Sequence, residues 1–293
     1  MAHDAAQEFL SQIPSVRNDL PFSPALLQTL FAQTGMDSVS SMEEVAETIA
    51  HDQGLTARIL TLANSAFYGL QSEVASVRRA AAVLGMREIR NLVLALGVRG
   101  LTRRRPLPAS FDLPVYWRHQ VRAAVMAREV ARRARLTGAD DLFTAGLLHD
   151  LGKLVTALYR PEAWEGIRAL AREEDLADVV AEEHYWGLDH AVIGSLVLKS
   201  WDFPPALTEP LNWHHSPELA GDYRPQATVL CLADLLSHEQ EPEAEPDPAA
   251  EAGRHMRVKS ACRDLGLDAA VLRAELDEVA NDEAVGQFAA ALG

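Results

Sequence analysis

The sequence predicts an all-α protein. Apolar residues recur at i, i+3, i+4 and i+7 through most of the 293-residue chain. Capping Ser and Asp residues and terminal Gly and Pro residues punctuate these runs. No stretch shows the period-two alternation of a half-buried strand, and no repeat of fixed period is present. An apolar content of 48% supplies a core, and the length suits one large or two modest domains.

In chain order, residues 1–23 read as irregular, because Pro14, Pro21 and Pro24 are breakers. A first helix starts near Ser23, with Pro24 at its first position and Leu26, Leu27 and Leu30 along it. Ser40 or Ser41 caps the next helix, which buries Val45 and Ile49; Ser41 precedes Met42-Glu43-Glu44, the pattern of a capping box. Gly54 is expected to end this helix. Leu55, Ile59 and Leu62 then share one helical face. Asn64 reads as a mid-helix residue, held by a local backbone bond or kept for packing or recognition. Gly69 closes this run after Phe67 and Tyr68. Two further helices, 77–84 and 86–98, split at Gly85. Residues 103–112, with Pro106 and Pro108, form the first strong linker, so an N-terminal helical subdomain is placed at 10–105.

The second subdomain is placed at 112–238. A long helix from Tyr116 to Arg135 carries His119, Val121, Val125 and many Ala residues, which allow close neighbours. Gly138 to Asp141 cap the central run, Leu142 to Lys153, which contains His149-Asp150. Pro161 starts a helix, and an amphipathic acidic one runs from Leu176 to Trp186. Asp189 caps the next, so His190 lies in its first turn. Trp201 to Pro205 is a turn. His214 and His215 would point about 100° apart on a helix, so both reach one site only at a helix end, which Pro217 supplies. Residues 218–224 read as loop. Pro225 opens an apolar helix whose single charge is Asp234. Residues 239–253 read as an acidic, Pro-rich linker, and 254–293 as a C-terminal helical extension.

Charge and cysteine content narrow the function. The net charge of −15 is not that of a nucleic-acid binder. Yet residues 78–135 hold fourteen arginines against three acidic residues, a local net of +11. These arginines are either solvated helix faces or a patch covered by the acidic linker or by an acidic signalling partner; Arg103, Arg104 and Arg105 are candidates to pair with the acidic C-terminal third. Duplex DNA binding is not expected. Cys231 and Cys262 make no Cys-x-x-Cys, which favours a reducing compartment. No run approaches the ~18 apolar residues of a spanning helix, and the first residues have no leader pattern, so a cytoplasmic location is expected.

Histidine and aspartate spread over several apolar helices are the means by which all-α proteins build metal sites. A buried His-Asp pair is costly unless something satisfies it, and so is a lone carboxylate at Asp234. The candidate metal ligands are His119, His149, Asp150, His190, His214, His215 and Asp234. Imidazoles with carboxylates suit a divalent transition metal (Fe, Mn, Ni or Zn), as one ion or two.

His119, His149-Asp150 and Asp234 resemble the spaced set of the HD superfamily of metal-dependent phosphohydrolases. The stretches Ile49 to Arg58, Leu62-Ala-Asn-Ser-Ala-Phe-Tyr-Gly69, Val83-Leu-Gly, Asn91-Leu-Val, Phe143 to Lys153 and Asp189-His190-x-x-x-Gly194, together with His214-His215, are similar to HDOD domains over about residues 10–238. The resemblance implies a helical N-terminal bundle packed on an HD-like helical core. It implies a bacterial signal-transduction module that acts through protein interaction rather than turnover. It also implies ligation by the first His, the His-Asp pair and the last Asp, with water attack on phosphorus in catalytic relatives. His190, His214 and His215 fall where HD-GYP phosphodiesterases carry further ligands. This chain departs from those enzymes: no Gly-Tyr-Pro follows His215, and Val115 stands where some three-metal members have Glu. The alternative is a metal-dependent phosphohydrolase acting on a nucleotide, with Asp150 and Lys153 as catalytic residues. A further alternative is a nucleotide receptor without hydrolysis.

Overall fold

In the computed structural model, residues 2–34, 38–238, 248–280 and 283–292 are described. The helices of the first half are α1 (Ala2–Gln12), α2 (Pro24–Thr34), α3 (Met42–Ala50), α4 (Gln53–Ala63), α5 (Val77–Leu84) and α6 (Met86–Leu101). Those of the second are α7 (Leu113–Arg133), α8 (Ala139–Leu148), α9 (Leu151–Tyr159), α10 (Pro161–Glu173), α11 (Asp178–Trp186), α12 (His190–Ser200), α13 (Pro205–Asn212) and α14 (Arg224–His238). Helices α15 (Pro248–Asp264), α16 (Ala269–Ala280) and α17 (Glu283–Leu292) follow. No strand occurs among the described residues, so the all-α class holds.

The N-terminal segment corrects the expectation of an irregular stretch. Helix α1 leads into a 3-10 helix, Ile13–Asp19, and Phe9, Ile13, Val16 and Leu20 are buried. Pro14 does not break this run, because it sits in the first turn, where an N–H is not needed. Phe9 stacks on Trp186 of α11 at 5.4 Å, so tertiary packing completes the helix.

Two local readings also change. Asp52, rather than Gly54, separates α3 from α4: it is extended and its Oδ1 accepts from Leu55 N–H at 2.9 Å, leaving Gly54 inside the first turn. Asn64 is the C-cap of α4, not a mid-helix residue. Its side chain bonds the backbone of Val74, donating to the carbonyl at 2.9 Å and accepting from the N–H at 2.8 Å. That pair pins the turn carrying Phe67, Tyr68 and Gly69. The capping box at Ser41 and Glu44 is present as expected.

At the other end, the expected linker segment 239–247 lies outside the described residues. Residues 248–253 are helical rather than linker, with Pro248 opening α15, a position that tolerates its missing N–H. Two short 3-10 turns occupy the expected loop after Pro217. Helix α15 packs on α14, and α16 and α17 pack on α7. Phe288 of α17 stacks on Phe67 at 4.5 Å, joining the C-terminal helices to the N-terminal half. One contiguous apolar cluster runs from Ala6 to Leu292. No described helix is long and apolar enough to cross a membrane.

Much of the arginine-rich segment is paired within the chain. Arg78 meets Glu43, Arg87 meets Asp140, Arg90 meets Asp141, and Arg133 meets Glu129 and Glu275. Arg104 and Arg105 pair with Asp19, not with the acidic C-terminal third. The N-terminal segment docks beside them, so its carboxylate is the nearer partner.

Candidate metal centre

Small residues bring the site-bearing helices together. A Cβ on Gly146 of α8 would lie 2.6 Å from Ala124 Cα, so α7 and α8 touch backbone to backbone. A Cβ on Gly152 would lie 2.0 Å from the His190 carbonyl oxygen, which sets the start of α9 against the start of α12. Gly194 faces Gly152 N at 3.1 Å by the same measure. These approaches, with α14 packed on α7, gather all seven candidate ligands.

Asp150, the N-cap residue of α9, is the hub. Its Oδ1 lies 3.0 Å from His190 Nε2 and 3.6 Å from His149 Nε2, and its Oδ2 lies 3.6 Å from His119 Nε2. Asp234 Oδ1 is 3.2 Å from His119 Nε2 and 3.5 Å from His149 Nε2. His190 Nε2 faces His215 Nε2 at 2.8 Å. His119, His149, Asp150, His190, His214 and Asp234 are buried, and His215 is half-buried. Three ligand groups are close enough to share an ion: His119, His149 and Asp150; His190, His214 and His215; and His119, Asp234 and His238.

Hydrogen bonds fix how four of the imidazoles present themselves. His149 Nδ1 donates to the Gly146 carbonyl at 2.8 Å, and His214 Nδ1 to the Leu211 carbonyl at 2.7 Å. His190 Nδ1 donates to Glu182 Oε2 at 2.7 Å. The Ser237 hydroxyl gives its proton to the Asp234 carbonyl, so its oxygen accepts from His119 Nδ1 at 3.0 Å. In the neutral form of each ring, the one that binds a metal, the remaining Nε2 carries the lone pair toward the centre. His214 Nε2 is buried with no hydrogen-bond partner among the described residues. Inward lone pairs beside two buried carboxylates form a donor set that fits a divalent transition metal.

Without a cation, protons and Lys153 must balance the carboxylates. Burial resists ionisation of Asp150, but His149, Lys153 and His190 hold it well below the usual carboxylate range. Burial likewise resists ionisation of Asp234, and His238, His119 and His149 hold it low. Burial opposes a charge on His190, yet Glu182 and Asp150 raise it to about 10 despite Lys153. Burial and the neighbouring His149 and His190 push His214 down to about 3. Lys153 Nζ meets Asp150 Oδ2 at 3.0 Å; burial would lower its pKa, and the surrounding carboxylates raise it instead.

The centre opens on a cleft of about 250 Å³, whose lining includes His119, Asp150, Lys153, Arg168, Tyr116 and His238. Tyr116 Oη has no hydrogen-bond partner among the described residues, and burial pushes its pKa well up. Arg168 is paired with Asp178. His238, Glu182 and Ser237 are additions to the sequence-based list. His238 is four residues after Asp234, so helical spacing alone places it on the same face. Ser237, three residues after Asp234, shares that face too, but a hydroxyl gives no sign of a ligand site, and Glu182 carries no comparable signal because its partner His190 lies on another helix.

The sequence model of the HDOD domain family matches residues 20–217. The chain belongs to the HDOD family. The matched region holds six of the seven candidate ligands and ends before Asp234 on α14. A Treponema pallidum (strain Nichols) protein, uncharacterised, is 24% identical over 225 residues. The alignment covers 74% of this chain and 42% of that relative, so this HDOD chain spans less than half its length. Among solved structures, a Shewanella amazonensis SB2B protein provisionally named a phosphohydrolase is 27% identical, with a TM-score of 0.74 over 97% of this chain and 98% of that one. A Geobacter sulfurreducens HDOD domain protein of unknown function shares the fold at 23% identity, TM-score 0.76, with 98% of each chain covered.

Proposed function

We propose that this HDOD chain is a cytoplasmic signalling module that holds one or two divalent transition metal ions (Fe, Mn, Ni or Zn). Its ligands are His119, His149, Asp150, His190, His214, His215 and Asp234. Asp150 stands between two donor sets, one with His119, His149 and Asp234, the other with His190, His214 and His215. The observation that carries this reading is the convergence of ring Nε2 atoms on two buried carboxylates, with Nδ1 of His119, His149, His190 and His214 tied outward. The output in this reading is contact with a signalling partner, its acidic surface meeting arginines of the 78–135 segment. Duplex DNA is not the partner, and salt-dependent DNA-binding measurements check that part.

Metal analysis of wild type and Asp150→Asn, after growth in metal-supplemented medium, tests the centre. Wild type retains transition metal and the variant loses it. Equal, near-zero occupancy in two folded proteins would leave a hydrogen-bonded polar core.

The cleft over the same centre favours a second reading, hydrolysis of a nucleotide phosphoester. Bound metal ions would lower the pKa of water and neutralise phosphoryl charge. Lys153 lines the cleft and offers a cation for a phosphate oxygen, and Asp150 holds that ammonium in place. The provisional name of the Shewanella structure supports this reading. A phosphoester panel assayed with Mn, Fe, Mg and Ni decides it: turnover abolished by Asp150→Ala establishes the enzyme. Nucleotide binding by calorimetry without turnover would mark a receptor instead.

A further inference from the structure

A second cleft, about 190 Å³, lies in the N-terminal half and shares no lining residue with the first. Phe22 from the segment before α2, Asp52 and Gly54 at the start of α4, Arg58 one turn further along it, Leu96 of α6 and Arg103 just beyond the end of α6 line it. Among the described residues, no carboxylate forms an ion pair with Arg58 or Arg103. Their neighbours Arg104 and Arg105 are paired with Asp19. The cleft's own carboxylate, Asp52, is engaged in capping α4.

Arg99 lies one turn before Arg103. Burial, then the charges of Arg103 and Arg58, pull its guanidinium below its ordinary value, a sign that like charges crowd this end of α6. Gly54 leaves the first turn of α4 without a side chain beside the arginines. Phe22 and Leu96 add apolar lining to the same cleft.

We propose that this cleft binds a small organic phosphate of the nucleotide class, its phosphate on Arg58 and Arg103 and its flat apolar part against Phe22 and Leu96. Guanidinium forks match phosphate oxygens in pairs, and a concave site of this size suits a small ligand rather than a flat macromolecular surface. The site does not depend on the metal centre.

Isothermal titration of the full chain with inorganic pyrophosphate and with AMP, in buffer containing a chelator, tests it. Both ligands are expected to bind saturably. Arg58→Gln/Arg103→Gln is expected to weaken both by at least about tenfold, the loss of charged hydrogen bonds. Arg58→Lys/Arg103→Lys keeps the charge without the forks and gives a smaller loss. Phe22→Leu is expected to weaken AMP more than pyrophosphate. Circular dichroism establishes that each variant is folded. No saturable binding by wild type, or unchanged binding by both folded arginine variants, overturns the site. Binding of an acidic peptide without binding of pyrophosphate overturns it in favour of a protein partner. Equal loss of both ligands in Phe22→Leu overturns the nucleotide class.

Discussion

The Nε2 atoms of His119 and His149 face each other across 3.1 Å. Their other nitrogens are committed to Ser237 Oγ and the Gly146 carbonyl, so neither ring has a spare proton in its neutral form. Two lone pairs at that distance need a shared proton or a metal cation between or beside them. The outer hydrogen bonds therefore matter as much as the ligands. Ser237→Ala and Glu182→Gln are expected to lower metal affinity by about 10- to 100-fold, the usual effect of losing a bond that orients a ligating imidazole. Chelator competition measures this, and unchanged affinity in both would show that ring orientation is set elsewhere.

Gly152→Ala probes the approach of α9 to α12. The new methyl would lie 2.0 Å from the His190 carbonyl oxygen, so backbone must move. A loss of about 3 kcal/mol is expected, with a lower melting temperature. At Gly194 the nearest atom is 3.1 Å away, so Gly194→Ala is expected to cost less. Equal melting temperatures for the two variants would contradict the packing described.

Asp19 ties the N-terminal segment to the second half. It accepts from Tyr159 Oη at 2.7 Å and Arg105 Nε at 3.2 Å. The Tyr159 bond is the largest influence; burial opposes it, and Arg105 and Arg104 help hold the carboxyl below its ordinary 3.8. A lowered folded value means stabilisation that is present above about pH 3.8 and is lost as pH falls through the folded value. Asp19→Asn is expected to cost about 1 kcal/mol at pH 7, a small figure because the group is partly exposed. Denaturant melts of both proteins from pH 7 downward should converge below pH 3.8.

Asn64→Ala removes the side chain that pairs both polar groups of the Val74 backbone. About 2 kcal/mol of destabilisation is expected from two unpaired backbone groups. Urea denaturation measures it. A change within experimental error would mean that water replaces the side chain at little cost.

The helices and most of their caps were legible in the sequence. Apolar spacing and the chemistry of Ser41, Gly138 and Asp189 act over a few residues, and such local rules survive folding. Residue type also made the list of seven candidate ligands legible, since charged and imidazole side chains on apolar helices require partners. Helix α1 was not legible, because Phe9 is completed by Trp186, far along the chain. The partners of Arg104 and Arg105 were likewise decided by where the N-terminal segment docks.

The tertiary structure alone decided which nitrogen of each imidazole faces inward. Ser237, Glu182 and two backbone carbonyls make that choice, and Gly146 and Gly152 set how close the helices carrying them come. Sequence specifies donors and helical faces because these are properties of single segments. Orientation at a shared site depends on distances between segments, which packing alone sets.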